Sequence, residues 1–547
     1  MIAPDEWTEA GGLVLEEPAR DAVKLEVGSA LITAGPGAGK TELLAQRADF
    51  LLATGLCPYP RRVLAISFKV DAARTLGDRV RRRSSADRAS RFDSFTFHAF
   101  ARRIIEIFRP LLKGKFALNP GFRLGLNRTG PNQAAFDDLV PSVLKLIEAD
   151  PMVVRTVRMT YTHVFLDEFQ DCTGDQYELV RALFGGTDIG LTAVGDMKQR
   201  IMGFAKALAD VFTRFAADFD AGDIELFHNY RSLLRLRRIQ NAMVADMSPR
   251  SVLPVAKLAG PGGEADTFEL ADCGVEAGTI ADRIEQWLAE GVPGHEIAVL
   301  YRRRPGQLGQ PVMAELDRRG IAWRNENEAA DVASEPLSML LVHFLRVLGD
   351  APAPESFAAL MGTLSGFDEE GKEGAWMRFV DDSRGVVAGA GPKARSKAVR
   401  RVVRALVSRC GQANIASLSA DYSDPGYVGE VLDSVVEPIM ALVDETGDLS
   451  VSLGRFASEG AVRLMTLHKC KGMEFEAVVM PATENEEWSW GESFEERRSL
   501  FFVGVSRAKS RLLVTAARHR QKPVGAANNW DVGRTPYPLF LNYVRTP

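Results

Sequence analysis

The sequence predicts an α/β protein with two parallel-sheet lobes, each interrupted by a helical insertion. Three observations carry that prediction. Short apolar runs rich in β-branched residues recur beside glycine or acidic punctuation: "ALITAG", "VLAISF", "HVFLDE", "LTAVGD", "EIAVLY", "VRLMTLH", "AVVMPA" and "LLVTAA". Helical patterns such as "TELLAQRADFLLATG" and "DQYELVRALFGG" lie between them, which argues for parallel sheets. Eight such runs are more than one small sheet needs, and 547 residues exceed one ordinary core.

Taken in order, residues 1–75 and 156–224 form the expected first lobe and residues 225–332 and 451–547 the second. Over 76–155 and 333–450 the strand signal fades into helical, arginine-rich sequence with Gly/Pro breaks such as "GVVAGAGPKARSK", and these segments are read as the insertions. No internal repeat or low-complexity tail interrupts the series.

The composition, 46% hydrophobic and 25% charged, is that of a globular protein. No apolar run reaches the roughly 18 to 20 residues of a membrane span, and "MIAPDEWTEAGG" lacks the features of a secretory signal, so a cytoplasmic protein without membrane association is expected. Five scattered cysteines, Cys57, Cys172, Cys273, Cys410 and Cys470, form no CxxC pair and suggest reduced thiols. The net charge of -5 does not advertise nucleic-acid binding. It averages over faces, however, and basic tracks at 79–91, 302–304 and 393–409 read either as solvated helix faces or as contacts for a polyanion.

The first chemical signal is "LITAGPGAGKTELL", where a strand, a glycine-rich turn and a helix start follow in immediate succession. Gly35, Gly37, Ala38 and Gly39 let backbone N–H groups converge on an anion, Lys40 can reach terminal phosphates, and Thr41 can offer its hydroxyl to Mg²⁺. The strict pattern wants glycine at position 34 and finds Ala34, so the relaxed form matches. "VFLDEFQDCT" (164–173) then ends an apolar strand in negative charge. Asp167, delivered beside the phosphate loop, is expected to hold the metal that Thr41 touches, and Glu168 to polarise a water for attack on a γ-phosphorus.

"DEFQD" after the phosphate loop, followed by "VGDMKQRIMGF" (194–204), "HNYRS" (228–232), "TLHKCKGMEF" (466–475) and "FVGVSRAKSRLLVT" (502–515), resembles the UvrD/Rep family of superfamily 1A helicases. The resemblance runs in order from residue 31 to residue 515. It implies two RecA-like lobes clamping ATP and Mg²⁺ and translocating 3′ to 5′ on single-stranded DNA. By that resemblance Gln199 senses the γ-phosphate, Arg231 and Arg507 supply guanidinium charge to the transition state, Tyr230 stacks on adenine and Glu474 lies near the ribose. DNA contacts are implied at Phe68, Thr96, His98, Phe204, Thr466 and His468, with Phe204 at the base-stacking position. Phe97 and Phe100 read equally well as core. The seven histidines make no metal-ligand pattern, and His98 and His468 have no metal role.

Several positions depart from the family. Ala19 falls where a glutamine usually reads the adenine edge, and Glu42 where a basic residue covers the base, so weaker adenine selectivity is expected. Asp71 and Ala205 replace basic residues near the implied DNA path, which predicts weaker or more salt-sensitive DNA binding. The second insertion is short for an unwinding enzyme of this kind, and the 32 residues after Thr515 are too few for an appended nuclease domain.

The expected function is a DNA-stimulated ATPase motor with helicase activity on single strands and single/double-strand junctions. The alternative is a partner-dependent regulatory ATPase working with a nuclease or a repair or defence factor. A kinase or transporter ATPase leaves "HNYRS", "TLHKCKG" and "VGVSRAK" unaccounted for. DNA repair, replication, recombination and defence all employ such motors, and the sequence does not choose among them.

Overall fold

The computed structural model describes residues 2–545 apart from 69, 121, 126, 127, 129, 202–206, 227, 327–334, 350, 351, 366–372, 419–421, 423, 424, 458, 459, 490–492 and 527–529. In chain order the strands are β1 (Ala30–Ala34), β2 (Arg62–Ser67), β3 (Phe92–Thr96), the short pair β4 (Arg123–Gly125) and β5 (Gln133–Ala135), then β6 (Tyr161–Asp167), β7 (Gly190–Gly195) and β8 (Gly222–Leu226). They continue with β9 (Glu264–Leu270), β10 (Ile297–Tyr301), β11 (Trp323–Asn325), β12 (Val462–Thr466), β13 (Phe475–Met480) and β14 (Ala508–Ala517). Two six-stranded parallel sheets result, ordered β3-β2-β6-β7-β1-β8 and β11-β12-β10-β13-β14-β9. The α/β class with two RecA-like lobes is thus the observed architecture.

The first sheet is buried on both faces, as parallel sheets with helical crossovers are. Along β6 the side chains alternate: Val164 and Leu166 enter one core with Phe97, Phe100 and Phe169, while Phe165 enters the other with Ile32, Phe50 and Val194. Parallel pairing sets Ser67 against Asp167 and Thr33 against Gly195. All strand ends that carry candidate chemistry therefore meet one edge of the sheet.

The chain folds into two compact units, Met1–Ile280 with Ala298–Pro311 and Thr466–Pro547, and Ala281–Ile297 with Val312–Met465. The second unit holds a helical core in which Leu341, Phe344, Trp376, Leu406 and Ile439 are buried. Between residues 76 and 155 the chain is less purely helical than its sequence suggests, since β3, β4 and β5 lie there. Among the described residues no helix is long and apolar enough to cross a membrane.

Candidate functional site

The phosphate loop leaves β1 at Ala34 and enters the helix Lys40–Thr54 through Gly39, whose φ of 79° is left-handed. Glycine is also required at Gly37, with φ 69°, because a Cβ there would lie 2.3 Å from Asn229 Oδ1 and 2.6 Å from Arg231 Cβ. That close approach lets Gly37 O accept the Tyr230 N–H at 2.9 Å, so the 228–232 segment lies directly on the phosphate loop. The Lys40 ammonium donates to Ala34 O at 3.2 Å and Gly35 O at 3.4 Å. Burial lowers its pKa, against the pull of Glu168, Asp196 and Asp167.

Opposite Lys40, β6 delivers Asp167 and Glu168. Asp167 Oδ1 accepts the Glu168 N–H at 2.9 Å, and Glu168 itself is left-handed at φ 50°. Burial and the adjacent Glu168 carboxylate push Asp167 up to about 7. For Glu168 burial works the other way from its neighbours: Lys40, Lys471, a hydrogen bond from Gln170 and Arg507 together hold it down at about 2. These cations and the Gln170 hydrogen bond favour the charged form of Glu168, and Asp167 stands where an added cation would relieve repulsion.

A polar chain continues from these carboxylates. Gln170 donates to Glu168 Oε2 and accepts the Asp196 N–H at 3.0 Å. Asp196, fully buried at the end of β7, accepts from Gln199 Nε2 at 2.8 Å and pairs with Lys198 at 2.9 Å. Gln199 Oε1 in turn accepts from Arg507 Nη2 at 2.6 Å. Arg507 also donates to Val503 O, Met473 O and Ser506 Oγ, which fixes its fork, and burial with the nearby Arg231 lowers it to about 10. Arg231 donates to Glu474 Oε2 at 2.8 Å and Ser506 O at 3.0 Å. Lys471 donates to Asp171 and, at 3.0 Å, to Gln199 O, with Lys471 and Asp171 both almost fully buried.

The structure thus brings together Lys40, Asp167, Glu168, Gln199, Arg231, Arg507, Tyr230 and Glu474, all named from sequence. Thr41 follows Lys40 in the first turn of the same helix. Sequence reasoning gave no role to Asp196, Gln170, Lys471, Asp171 or Ser506, which link those groups. Asp196 and Lys471 lie inside the quoted motifs, but their partners are set only by tertiary packing.

Among the described DNA candidates, Phe68, Thr96 and Thr466 fall at strand ends. Phe68 follows β2 and is half-buried. Thr96 caps the helix Phe97–Phe108 by accepting the Ala99 N–H at 3.1 Å, and His98 meets the Phe136 ring edge-on at 6.1 Å. Phe97 and Phe100, readable either way in the sequence, are core residues. Thr466 ends β12, and Thr466 Oγ1 accepts the Lys469 N–H at 3.3 Å. His468 is half-buried two residues on. Phe204 and Ala205 lie outside the described residues, as does the side chain of Asp71. Among the described residues no group of three or more His, Cys, Asp or Glu could hold a metal, though a cation bound through phosphates needs only one or two protein oxygens.

Two parallel α/β lobes and a glycine-rich loop faced by carboxylates, a glutamine and arginines from distant segments define a P-loop NTPase of the two-lobed kind. Residues 15–124 and 124–220 match the UvrD/REP helicase N-terminal domain, and residues 394–519 match the UvrD-like helicase C-terminal domain. The chain belongs to the UvrD/Rep-like helicase family. It is 25% identical to DNA helicase II of Haemophilus influenzae, over 71% of this chain and 59% of that protein. It is 24% identical to ATP-dependent DNA helicase UvrD1 of Mycobacterium leprae, over 91% of this chain and 82% of that one. For ATP-dependent DNA helicase UvrD2 of Mycobacterium bovis the values are 24%, 92% and 79%. The match to DNA helicase II therefore spans less than two thirds of that relative's length.

Proposed function

We propose that this chain is an ATP-dependent translocase and helicase of UvrD/Rep type that moves 3′ to 5′ on single-stranded DNA. The observation that carries the reading is the polar chain from Glu168 through Gln170, Asp196 and Gln199 to Arg507, whose last hydrogen bond joins residues 308 positions apart, beside the phosphate loop. A γ-phosphate held by Lys40 would lie between Glu168 and the two arginines.

In this reading Glu168 orients and deprotonates the attacking water, and its carboxylate is ionised for that task. Gln199, fixed between Asp196 and Arg507, is placed to register whether a γ-phosphate is present. Arg507 and Arg231 stabilise the charge that develops on the transferred phosphoryl oxygens. Asp167 and Thr41 are the residues that would hold Mg²⁺, which when bound supplies charge neutralisation to the phosphates. Thr466, His468, Phe68 and the Thr96–His98 turn are proposed to meet the DNA strand, alongside Phe204.

Hydrolysis by the purified chain, with and without single-stranded DNA, tests the reading together with strand separation on 3′-tailed and 5′-tailed duplexes. Stimulated hydrolysis with separation of the 3′-tailed duplex is expected. Stimulation without separation would favour a regulatory ATPase that needs a protein partner, and no hydrolysis under either condition would overturn both.

A further inference from the structure

A cavity of about 510 Å³ opens beside the phosphate loop, walled in part by Glu16, Pro18, Gly35, Pro36, His228 and Asn229. Tyr230 adjoins it. The residue is 58% exposed, its ring centroid lies 4.2 Å from that of His228 with the planes tilted by 49°, and its backbone N–H bonds to Gly37 O in the loop. A nucleoside attached to phosphates in this loop must emerge along its flank, where these rings give a planar base a stacking surface.

Several polar groups near this base position are committed elsewhere. Asn229 donates to Gln240 Oε1 at 2.9 Å and accepts the N–H groups of Arg231 and Ser232 at 2.8 and 3.0 Å. Gln46 exchanges two hydrogen bonds with the Ala10 backbone, at 2.8 and 2.9 Å. Glu42 accepts from Arg83 at 2.9 Å and from Gln46 at 2.8 Å. Ala19 is buried in the core and has no polar atom to offer. Glu16 is different. It is the N-cap residue of the helix Glu17–Lys24, yet its carboxylate makes no capping bond, and Oε1 is buried without a hydrogen-bond partner.

We propose that Glu16 reads the base, and that the pocket accepts guanine at least as well as adenine; the inference rests on the nucleotide-hydrolysis reading given above. An ionised carboxylate only accepts hydrogen bonds. Guanine presents two adjacent donors, N1–H and N2–H, which match the two oxygens of a carboxylate. Adenine presents one donor, N6–H, beside the N1 lone pair, which would face the same negative charge. An amide, with one donor and one acceptor, would suit adenine better.

The test compares kcat/KM for ATP and GTP, and the affinities of fluorescent MANT-ADP and MANT-GDP, in the full chain and in Glu16→Gln and Glu16→Ala. Wild-type GTP turnover is expected to equal or exceed that of ATP. Glu16→Gln should move the GTP/ATP ratio toward ATP by about tenfold or more, equivalent to one good edge contact. Glu16→Ala should weaken GTP and favour ATP, because the negative charge that faces adenine N1 is removed. A wild-type preference for ATP of about a hundredfold, or a ratio unmoved by Glu16→Gln, would overturn the proposal. Were neither nucleotide hydrolysed, the motor reading would fail, while the MANT-GDP/MANT-ADP affinity ratio in wild type and Glu16→Gln would still decide the base reading. Absence of binding to either would overturn both.

Discussion

At Glu168 the backbone is held at φ 50°, a conformation that costs a non-glycine residue about 1 to 3 kcal/mol and persists where surrounding structure enforces it. The enforcement is visible: the Glu168 N–H is bound by Asp167, Gln170 donates to its carboxylate, and Lys40, Lys471 and Arg507 keep it ionised. Glu168→Gln keeps the size and a polar oxygen but removes the charge that would take a proton from water. Turnover should fall by about 10² to 10⁴, the range assigned to general-base chemistry, while fluorescent nucleotide titration returns near wild-type affinity. Wild-type turnover in that variant would place the base elsewhere. At this scale the sequence was most legible where a residue type is forced by chemistry: Lys40 after glycines, Asp167 and Glu168 at a strand end, arginines in fixed motifs. It was least legible for Asp196 and Lys471, whose charges are buried against partners far along the chain. The phenylalanines at 97 and 100 show the same limit in reverse, since an apolar ring carries no mark of whether it faces core or ligand until the helix is docked.

Arg47 shows how an element can depend on one buried charge. In the middle of the helix Lys40–Thr54, its guanidinium donates to Ala22 O, Val23 O and Leu25 O at 2.8 to 3.0 Å and to Thr192 Oγ1 in β7 at 3.0 Å. It thereby satisfies carbonyls at the C-terminal end of the helix Glu17–Lys24, whose N-cap is Glu16. Burial lowers its pKa to about 10, which still leaves it protonated at neutral pH. Arg47→Met should destabilise the lobe by about 3 kcal/mol, since buried carbonyls lose charged donors, and should speed hydrogen exchange selectively over residues 17–25. Arg47→Lys should rescue only in part, because one ammonium cannot span three carbonyls and a hydroxyl. Unchanged exchange in Arg47→Met would remove this role. Among the strands, the eight read from sequence are the eight interior ones: β1, β2, β6 and β7 in one sheet, β10, β12, β13 and β14 in the other. Of the six passed over, β3, β8, β9 and β11 are the four edges of these sheets, and β4 and β5 form the separate short pair. Strands buried on both faces are near-continuous apolar runs, whereas edges such as "GDIEL" and "EADTFEL" carry charge on their exposed face and lose the signal.

For the whole molecule the question is how contact with DNA could reach the hydrolytic groups. The loop after β12 offers the shortest route. It begins at Thr466 and His468, the proposed DNA contacts, and a few residues later Lys471 enters the polar chain through Asp171 and Gln199 O, partners 300 and 272 positions away. Met473 O, two residues further, accepts from Arg507. The Cys470 N–H bond to Thr466 O at 3.1 Å ties the two ends of this short loop, which makes it the proposed route from Thr466 to Lys471. Removing Lys471 alone would take the ammonium away from the buried Asp171 carboxylate, at a cost of about 3 to 5 kcal/mol, and would confuse coupling with folding. The informative variant is therefore Asp171→Asn with Lys471→Met, which leaves no orphan charge. Its melting temperature should stay near that of the wild type, while the ratio of hydrolysis with single-stranded DNA to hydrolysis without it falls toward one. The ratio, rather than either rate, isolates coupling from changes in the Glu168 environment that loss of Lys471 also brings. If the double variant keeps the full stimulation of the wild type, the signal from DNA travels by another path, and Lys471 is a structural ion pair only.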